Sequence, residues 1–240
     1  ELFWSVTGKI AHNKNEITKL SEAIKAQTAI AIANNNYASL LFEGHSLNSI
    51  YAVPSLGIDP STGREIFLDK DGNFTSTWNA NARQLFGVSD PKYRGNISTY
   101  IAWRNLSLNL SFAYHWGGQQ YNSTLLNKVE VTTTAMENNV DNRVYTDRWL
   151  QPGDVRFFKS FDSSATRMSS RFVMDDTVFQ LQSVNLKYAW KSDYIRSLGI
   201  ETLNFSLNMS DIVYLSSIKR ERGTEYPFSR TMSLTISLLF

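Results

Sequence analysis

The chain has 240 residues, with 24 Lys and Arg against 22 Asp and Glu, a net charge of +2. That balance excludes a strongly basic nucleic-acid footprint and an acidic tail. With no cysteine, a disulfide framework, a Cys-based zinc site and a thiol nucleophile are excluded too. No apolar run approaches the roughly 18–20 residues of a membrane helix. Aromatic residues make up 13%, yet mean hydropathy is slightly negative. A membrane β-barrel tolerates such hydropathy, because only every second residue meets lipid.

From the first residues the dominant period is two, which places alternate side chains on opposite strand faces. Leu2, Trp4, Val6 and Ile10 alternate over 2–12. No charged leader, apolar core or cleavage site is legible there, and the chain reads as if it began inside a strand. Ile17, Leu20 and Ile24 have helical spacing, so a short helix is expected over 17–27. Residues 37–53 read as a mixed strand with Gly44 as a bulge. "DKDGN" at 69–73 lacks the distal Glu of an EF-hand and reads as an Asp-Gly hairpin turn. Ile97, Thr99, Ile101 and Trp103 alternate over 93–103, and Leu106 to Trp116 do so over 106–116. Over 177–190 the apolar phase slips between Leu181 and Val184, which predicts a bulge near Gln182–Ser183. Leu203 to Met209 and Phe228 to Phe240 complete the series.

These strands are about as long as the 9–11 residues of a tilted membrane crossing. Alternating direction backwards from the last strand puts connections 104–105, 191–200 and 13–36 on one side. Connections 54–90, 117–176 and 215–226 fall on the other. Short turns on one side and long loops on the other are the asymmetry of outer-membrane barrels, from which 13–36 departs. Tyr114, Trp116, Tyr226 and Phe228 are expected at the long-loop ends. Trp103, Tyr188, Trp190 and Phe240 are expected at the opposite ends, as two interfacial girdles. The fold class expected is all-β: an antiparallel transmembrane barrel. Seven main strands is odd for a closed bacterial barrel, so the chain is expected to be the end of a longer one.

Five stretches resemble the SusC/RagA type of TonB-dependent outer-membrane transporter of Bacteroidota. They are "EGHSLNSIYAVPSLGIDPSTGREIFLDKDGN" (43–73), "PKYRGNISTYIAWRNLSLNLSFAYHWGGQQYN" (91–122), "DRWLQPGD" (147–154), "SSRFVMDDTVFQLQSVNLKY" (169–188) and "RGTEYPFSRTMSLTISLLF" (222–240). The resemblance implies that 1–240 is the C-terminal portion of a 22-stranded barrel, without the plug domain or the TonB box. It implies import of oligosaccharide or peptide, with a SusD-like lipoprotein over the outer face and TonB acting through the missing N-terminal part. It also implies contact with outer-membrane lipid, and Phe240 as a C-terminal signal for the barrel-assembly machinery. The alternatives are a glycan-binding surface β-sandwich and a complete small structural or porin-like barrel.

In the longest loop, "GGQQYN" and "NRVYTDRWLQPGD" combine aromatic, amide and guanidinium groups. A sugar or peptide could stack on Tyr121 or Trp149 and hydrogen-bond to Gln119, Asn122 or Arg148. The other reading is that these residues pack the loop and hold a partner. The histidines His12, His45 and His115 lack metal-ligand spacing, so no metal and no cofactor are expected. Asp154, Asp162, Asp175 and Asp176 fall in or beside one loop, a poor scaffold for paired carboxylate catalysis. No enzyme activity is expected.

Overall fold

The structure, a computed structural model, describes residues 1–34, 40–130, 141–161, 166–219 and 230–240. In chain order the elements are β1 (Leu2–His12), α1 (Glu22–Ala33), β2 (Ser49–Ala52), β3 (Ser55–Ile58), β4 (Glu65–Leu68), β5 (Phe74–Thr75), β6 (Gln84–Val88), β7 (Tyr93–Trp103), β8 (Leu106–Tyr121), α2 (Arg143–Thr146), β9 (Val173–Trp190), α3 (Asp193–Ser197), β10 (Thr202–Ser216) and β11 (Thr231–Leu239). They form two units. The first comprises Glu1–Asn13, Pro91–Gly117 and Asp176–Phe240, and the second Lys14–Asp90 and Gly118–Asp175.

The first unit is an antiparallel sheet of six strands in the order β1-β7-β8-β9-β10-β11. The described sheet is open, with β1 and β11 at its edges. Register keeps each apolar row intact. Val6 faces Thr99, which faces Leu110, and Leu186 faces Leu207, which faces Leu234. Between these groups the Ala189 amide donates to the Asn105 carbonyl at 2.9 Å. The opposite face presents Ser98, Ser111, Asn185, Asn208 and Ser233. A one-residue slip would exchange the faces, so alternation fixes register.

Two polar groups on the apolar face are satisfied within it. Trp4 Nε1 donates to Thr99 Oγ1 at 2.8 Å. Tyr114 Oη crosses β7 and donates to the Lys9 carbonyl at 2.9 Å. Its path runs over Gly95, where a Cβ would lie 2.0 Å from that carbonyl and 2.5 Å from the hydroxyl. Trp116 stacks on Tyr93 at 5.3 Å and on Tyr114 at 5.5 Å. That cluster lies at one end of the strands. Trp103, opposite Leu2, and Trp190, opposite Leu203, lie at the other. Tyr226 and Phe228, expected in the same girdle as Trp116, lie outside the described residues.

Three expectations are corrected. The helix begins at Glu22, not Ile17. Ser21 Oγ accepts the Ile24 amide at 3.4 Å as its N-cap, and an alanine-rich run follows. Ile17 is instead tied to the 44–45 turn, its amide donating to the His45 carbonyl and its carbonyl accepting the Gly44 amide, both at 2.8 Å. The 37–53 stretch supplies no strand to the six-stranded sheet. Residues 35–39 lie outside the described residues, Gly44 sits in a turn at φ +80°, and only Ser49–Ala52 is a strand, paired with β6 in the second unit. Among the described residues the sheet therefore has six strands, where seven were expected. This removes the anomalous connection, because 13–36 and 54–90 belong to one long excursion from β1 to β7. The excursions 13–92, 122–172 and 217–230 leave from one end of the strands. The turns Arg104–Asn105 and 191–201 close the other end.

The bulge lies where the phase slips, but the extra residue is in β10. Between the pairs Ser210–Ser183 and Val213–Leu181 the register shifts. Asp211 takes φ +55° there, a conformation that Asp tolerates better than most residues. The shift keeps apolar opposite apolar, Val213 on Leu181 and Leu215 on Phe179.

Candidate functional site

The second unit carries every side chain singled out for ligand or partner contact except Phe240. It contains the β3–β4 hairpin. Asp59 organises the turn by accepting the Ser61 amide at 2.9 Å and the Thr62 hydroxyl at 2.7 Å. The Thr62 hydroxyl, chiefly, with the Ser61 amide, holds the Asp59 carboxyl below the usual carboxylate range. The next hairpin turns at Asp69 to Asn73, as "DKDGN" predicts, with Gly72 at φ +83°. Asp69 Oδ1 accepts the Asp71 and Asn73 amides at 2.8 Å.

The "GIDPSTGREIF" and "RWLQPGD" stretches meet in space. Trp149 Nε1 and the Gly153 amide both donate to the Pro60 carbonyl at 2.8 Å. The indole lies against Gly63, and the Ser160 amide donates to the Gly63 carbonyl at 2.9 Å. Asp154 closes the turn by accepting the Leu150 and Gln151 amides at 3.1 Å. At Gly63, φ is +69° and a Cβ would sit 2.4 Å from the Trp149 ring. Gly63→Ala is therefore expected to cost at least about 1 kcal/mol from backbone strain alone. Limited proteolysis of residues 147–160 reads it out; unchanged cleavage would count against the clasp.

Beneath this clasp lies an apolar cluster of Leu125, Val129, Val144, Phe158 and Phe172. Arg148 is fully buried beside it. Its Nε donates to the Val144 carbonyl at 2.8 Å and Nη1 to the Lys159 carbonyl at 3.0 Å. Its Nη2 reaches the Val129 and Glu130 carbonyls at 3.3 and 3.2 Å. Burial pulls this guanidinium below its usual range.

Arg171 is the second buried guanidinium. Nε and Nη2 bind Glu65 Oε1 and Oε2 at 3.1 and 2.9 Å. Nη2 and Nη1 bind Glu130 Oε1 and Oε2 at 2.6 and 2.5 Å. Nη1 also donates to the Phe157 carbonyl at 2.6 Å. The group lies 4.5 Å from the Phe172 ring centre and 5.2 Å from that of Phe157. Burial disfavours its charge, but the Glu130 and Glu65 carboxylates outweigh burial and raise its pKa. Sequence reasoning missed this cluster. Glu65 and Arg171 fall inside the stretches that carry the resemblance, but nothing in their spacing indicates a pair.

The remaining candidates surround the same unit. Asn122 is buried; its Oδ1 accepts the Leu125 amide at 2.9 Å and its own amide donates to the Phe172 carbonyl at 2.8 Å. Gln119 Oε1 accepts the Val88 amide and Nε2 donates to Asp175, both at 3.1 Å. Tyr121 packs edge-on against Phe172 at 6.2 Å. Among the described residues its hydroxyl oxygen is buried without a hydrogen-bond partner. Burial, reinforced by Glu65, pushes its pKa up to about 12. An unfolded tyrosine ionises near pH 10, so between pH 10 and about 12 the folded form alone keeps the proton. Stability is full below pH 10 and falls as pH rises through that window. Tyr121→Phe is expected to flatten this alkaline loss and to cost nothing at pH 7. Denaturation midpoints at pH 7 and 11 test it; an unchanged alkaline loss would refute it.

The histidines lie apart. His12 contacts the Lys92 carbonyl at 2.8 Å, His45 the Tyr51 hydroxyl at 2.6 Å, and His115 the Asp176 carboxylate at 3.1 Å. His45 sits in a turn rather than a strand. Of the four loop carboxylates, Asp162 lies outside the described residues. Phe240 is strongly exposed after β11.

No family model and no curated protein matches the chain. Solved structures do. A chain of the RagAB peptide transporter is 19% identical, with a TM-score of 0.71 over 91% of this chain and 24% of that one. The RagAB peptide importer in its "open-open" state matches 100% of this chain at 19% identity and TM-score 0.77, covering 27% of that chain. In its "closed-closed" state it matches 91% at 20% identity and TM-score 0.70. The chain thus spans about a quarter of the length of the solved chains it matches. The resemblance read from the sequence and the fold found in space agree: the chain has the fold of about one quarter of a RagAB chain.

Proposed function

We propose that the chain is wall and outer loops of a TonB-dependent importer of the SusC/RagA type in the bacterial outer membrane. The observation that carries this reading is the apolar face of the first unit. On the inner strands β7, β8 and β9, Trp103, Leu106, Phe179, Tyr188 and Trp190 are 37–53% exposed, and the face they belong to continues to Leu2 and Trp4 in β1 and to Met232 and Leu234 in β11. A water-soluble protein rarely leaves so continuous an apolar patch in solvent. Lipid is the solvent that suits it, with the aromatic ends at headgroup level. The long excursions then face outward and the short turns face the periplasm.

In this reading the barrel closes with strands outside this chain, leaving no unpaired edge in lipid. The polar face lines the lumen. Phe240 serves the barrel-assembly machinery, and TonB acts on a part outside this chain. Peptide is the preferred cargo over oligosaccharide, supported by the fold shared with structures described as peptide importers. A SusD-like lipoprotein is the partner over the second unit. The role is not enzymatic and uses no cofactor.

Single nitroxide labels at Ser233, Leu234, Thr235 and Ile236 in the full-length protein, in outer-membrane preparations, test the placement. Leu234 and Ile236 should be relaxed by lipid-dissolved oxygen, and the other two by a water-soluble nickel reagent. Loss of that alternation, or recovery of the protein in the soluble fraction, would sink it. Growth on peptides as sole nitrogen source, with and without the gene, tests the cargo.

A further inference from the structure

The second unit is assembled from two chain stretches, Lys14–Asp90 and Gly118–Asp175, and one side chain ties them at four carboxylate oxygens. Glu65 comes from the first stretch, Glu130 and Arg171 from the second. The side chains of Arg171, Glu65 and Glu130 are 4%, 5% and 0% exposed. All five guanidinium N–H groups are used: two on Glu65, two on Glu130 and one on the Phe157 carbonyl. The carboxylates are held in turn by hydroxyls. Ser55 and Ser169 donate to Glu65 at 2.7 and 2.6 Å, and Thr166 donates to Glu130 at 3.0 Å.

Buried ions are not a cheap way to gain stability, since apolar side chains of the same volume often do as well or better. A fully satisfied network, by contrast, accepts only one arrangement of its parts. Apolar surfaces can slide past one another; two bidentate forks on one planar group cannot. The backbone around the pin follows the same division. The Ser170 amide donates to the Val53 carbonyl and the Ser55 amide donates to Ser170 Oγ, both at 2.9 Å. Trp78 Nε1 donates to the Met168 carbonyl at 2.9 Å.

We infer that Arg171 is a pin that makes the two long excursions one mechanical body. The β3–β4 hairpin and the 144–160 stretch open and shift together, so a ligand or partner that touches one excursion acts on both. This does not depend on the transport reading, because it concerns how the excursions move and not what they carry.

Hydrogen exchange on the full-length protein tests it with Glu65→Gln, Glu130→Gln and the double variant. Each single change is expected to speed exchange about tenfold in both the Ser55–Leu68 hairpin and the 144–160 stretch. The double variant should fall short of the product of the two. Loosening confined to the stretch that carries each substitution, or a double effect equal to the product, would overturn the inference. The unsubstituted protein supplies a measurement free of folding defects. When opening limits exchange, both stretches should open with one rate constant; two distinct constants would overturn it as well.

Discussion

Leu207→Arg is expected to abolish accumulation of folded protein in the outer membrane. Leu207 lies mid-strand in β10 between Leu186 and Leu234, in the centre of the apolar face. An arginine at the midplane of a barrel's lipid face costs about 2–4 kcal/mol, a large share of the 5–15 kcal/mol that typically holds a folded protein together. The control is Ser233→Arg on the adjacent strand. Ser233 pairs with Asn208 on the polar face, where a long cation can stay hydrated. Folded protein, read by its resistance to unfolding in cold detergent, should vanish in the first variant and persist in the second. Equal yields would mean that the apolar face does not meet lipid.

The second large effect concerns the buried ions. Arg171→Met leaves the Glu65 and Glu130 carboxylates inside the second unit without their shared cation. Breaking a buried pair in this way costs about 3–5 kcal/mol, because the stranded charge remains. Proteolytic cleavage within 54–68 and 144–160 should rise steeply. The triple change Glu65→Gln, Glu130→Gln, Arg171→Met should recover part of the loss, since no charge is then stranded. A loss below about 1 kcal/mol in the single variant would contradict the assignment. A triple variant as damaged as the single one would place the cause in packing instead.

The six-stranded sheet was legible in the sequence because its signal is local. Of the seven expected spans, 2–12 and 93–103 coincide with β1 and β7, and 106–116, 177–190 and 203–209 fall inside the longer strands β8, β9 and β10; 228–240 begins outside the described residues, and 37–53 is not a strand of this sheet. The phase slip at Gln182 located the bulge, but alternation cannot say which strand carries the extra residue. Asp211, with its positive φ, does. The 37–53 stretch misled because apolar residues of the second unit read like those of a membrane strand when only neighbours in sequence are considered.

The second unit was largely illegible for the opposite reason. Its contacts link residues far apart, and a lone Glu or Arg in a polar loop reads as solvated surface. Arg148 and Trp149 drew notice as groups suited to a ligand. The geometry gives Arg148 to backbone carbonyls and lays Trp149 against a glycine. Nothing in composition distinguishes a guanidinium that waits for cargo from one that holds a loop together.

The uneven lengths of the connections bear on the order in which the sheet assembles. β7 and β8 are joined by Arg104–Asn105 alone, whereas β1 must find β7 across 13–92. Going from the 191–201 turn to that excursion is about three doublings of length, roughly 2 kcal/mol of additional closure entropy. Neighbours in sequence pair first when such entropy governs the rate. The β7–β8 hairpin is thus the natural seed, and β1 a late arrival. Pulse-labelled exchange during refolding would show protection at the Leu108 and Leu110 amides before those of Ser5 and Thr7, which face β7; the reverse order would exclude this sequence of events.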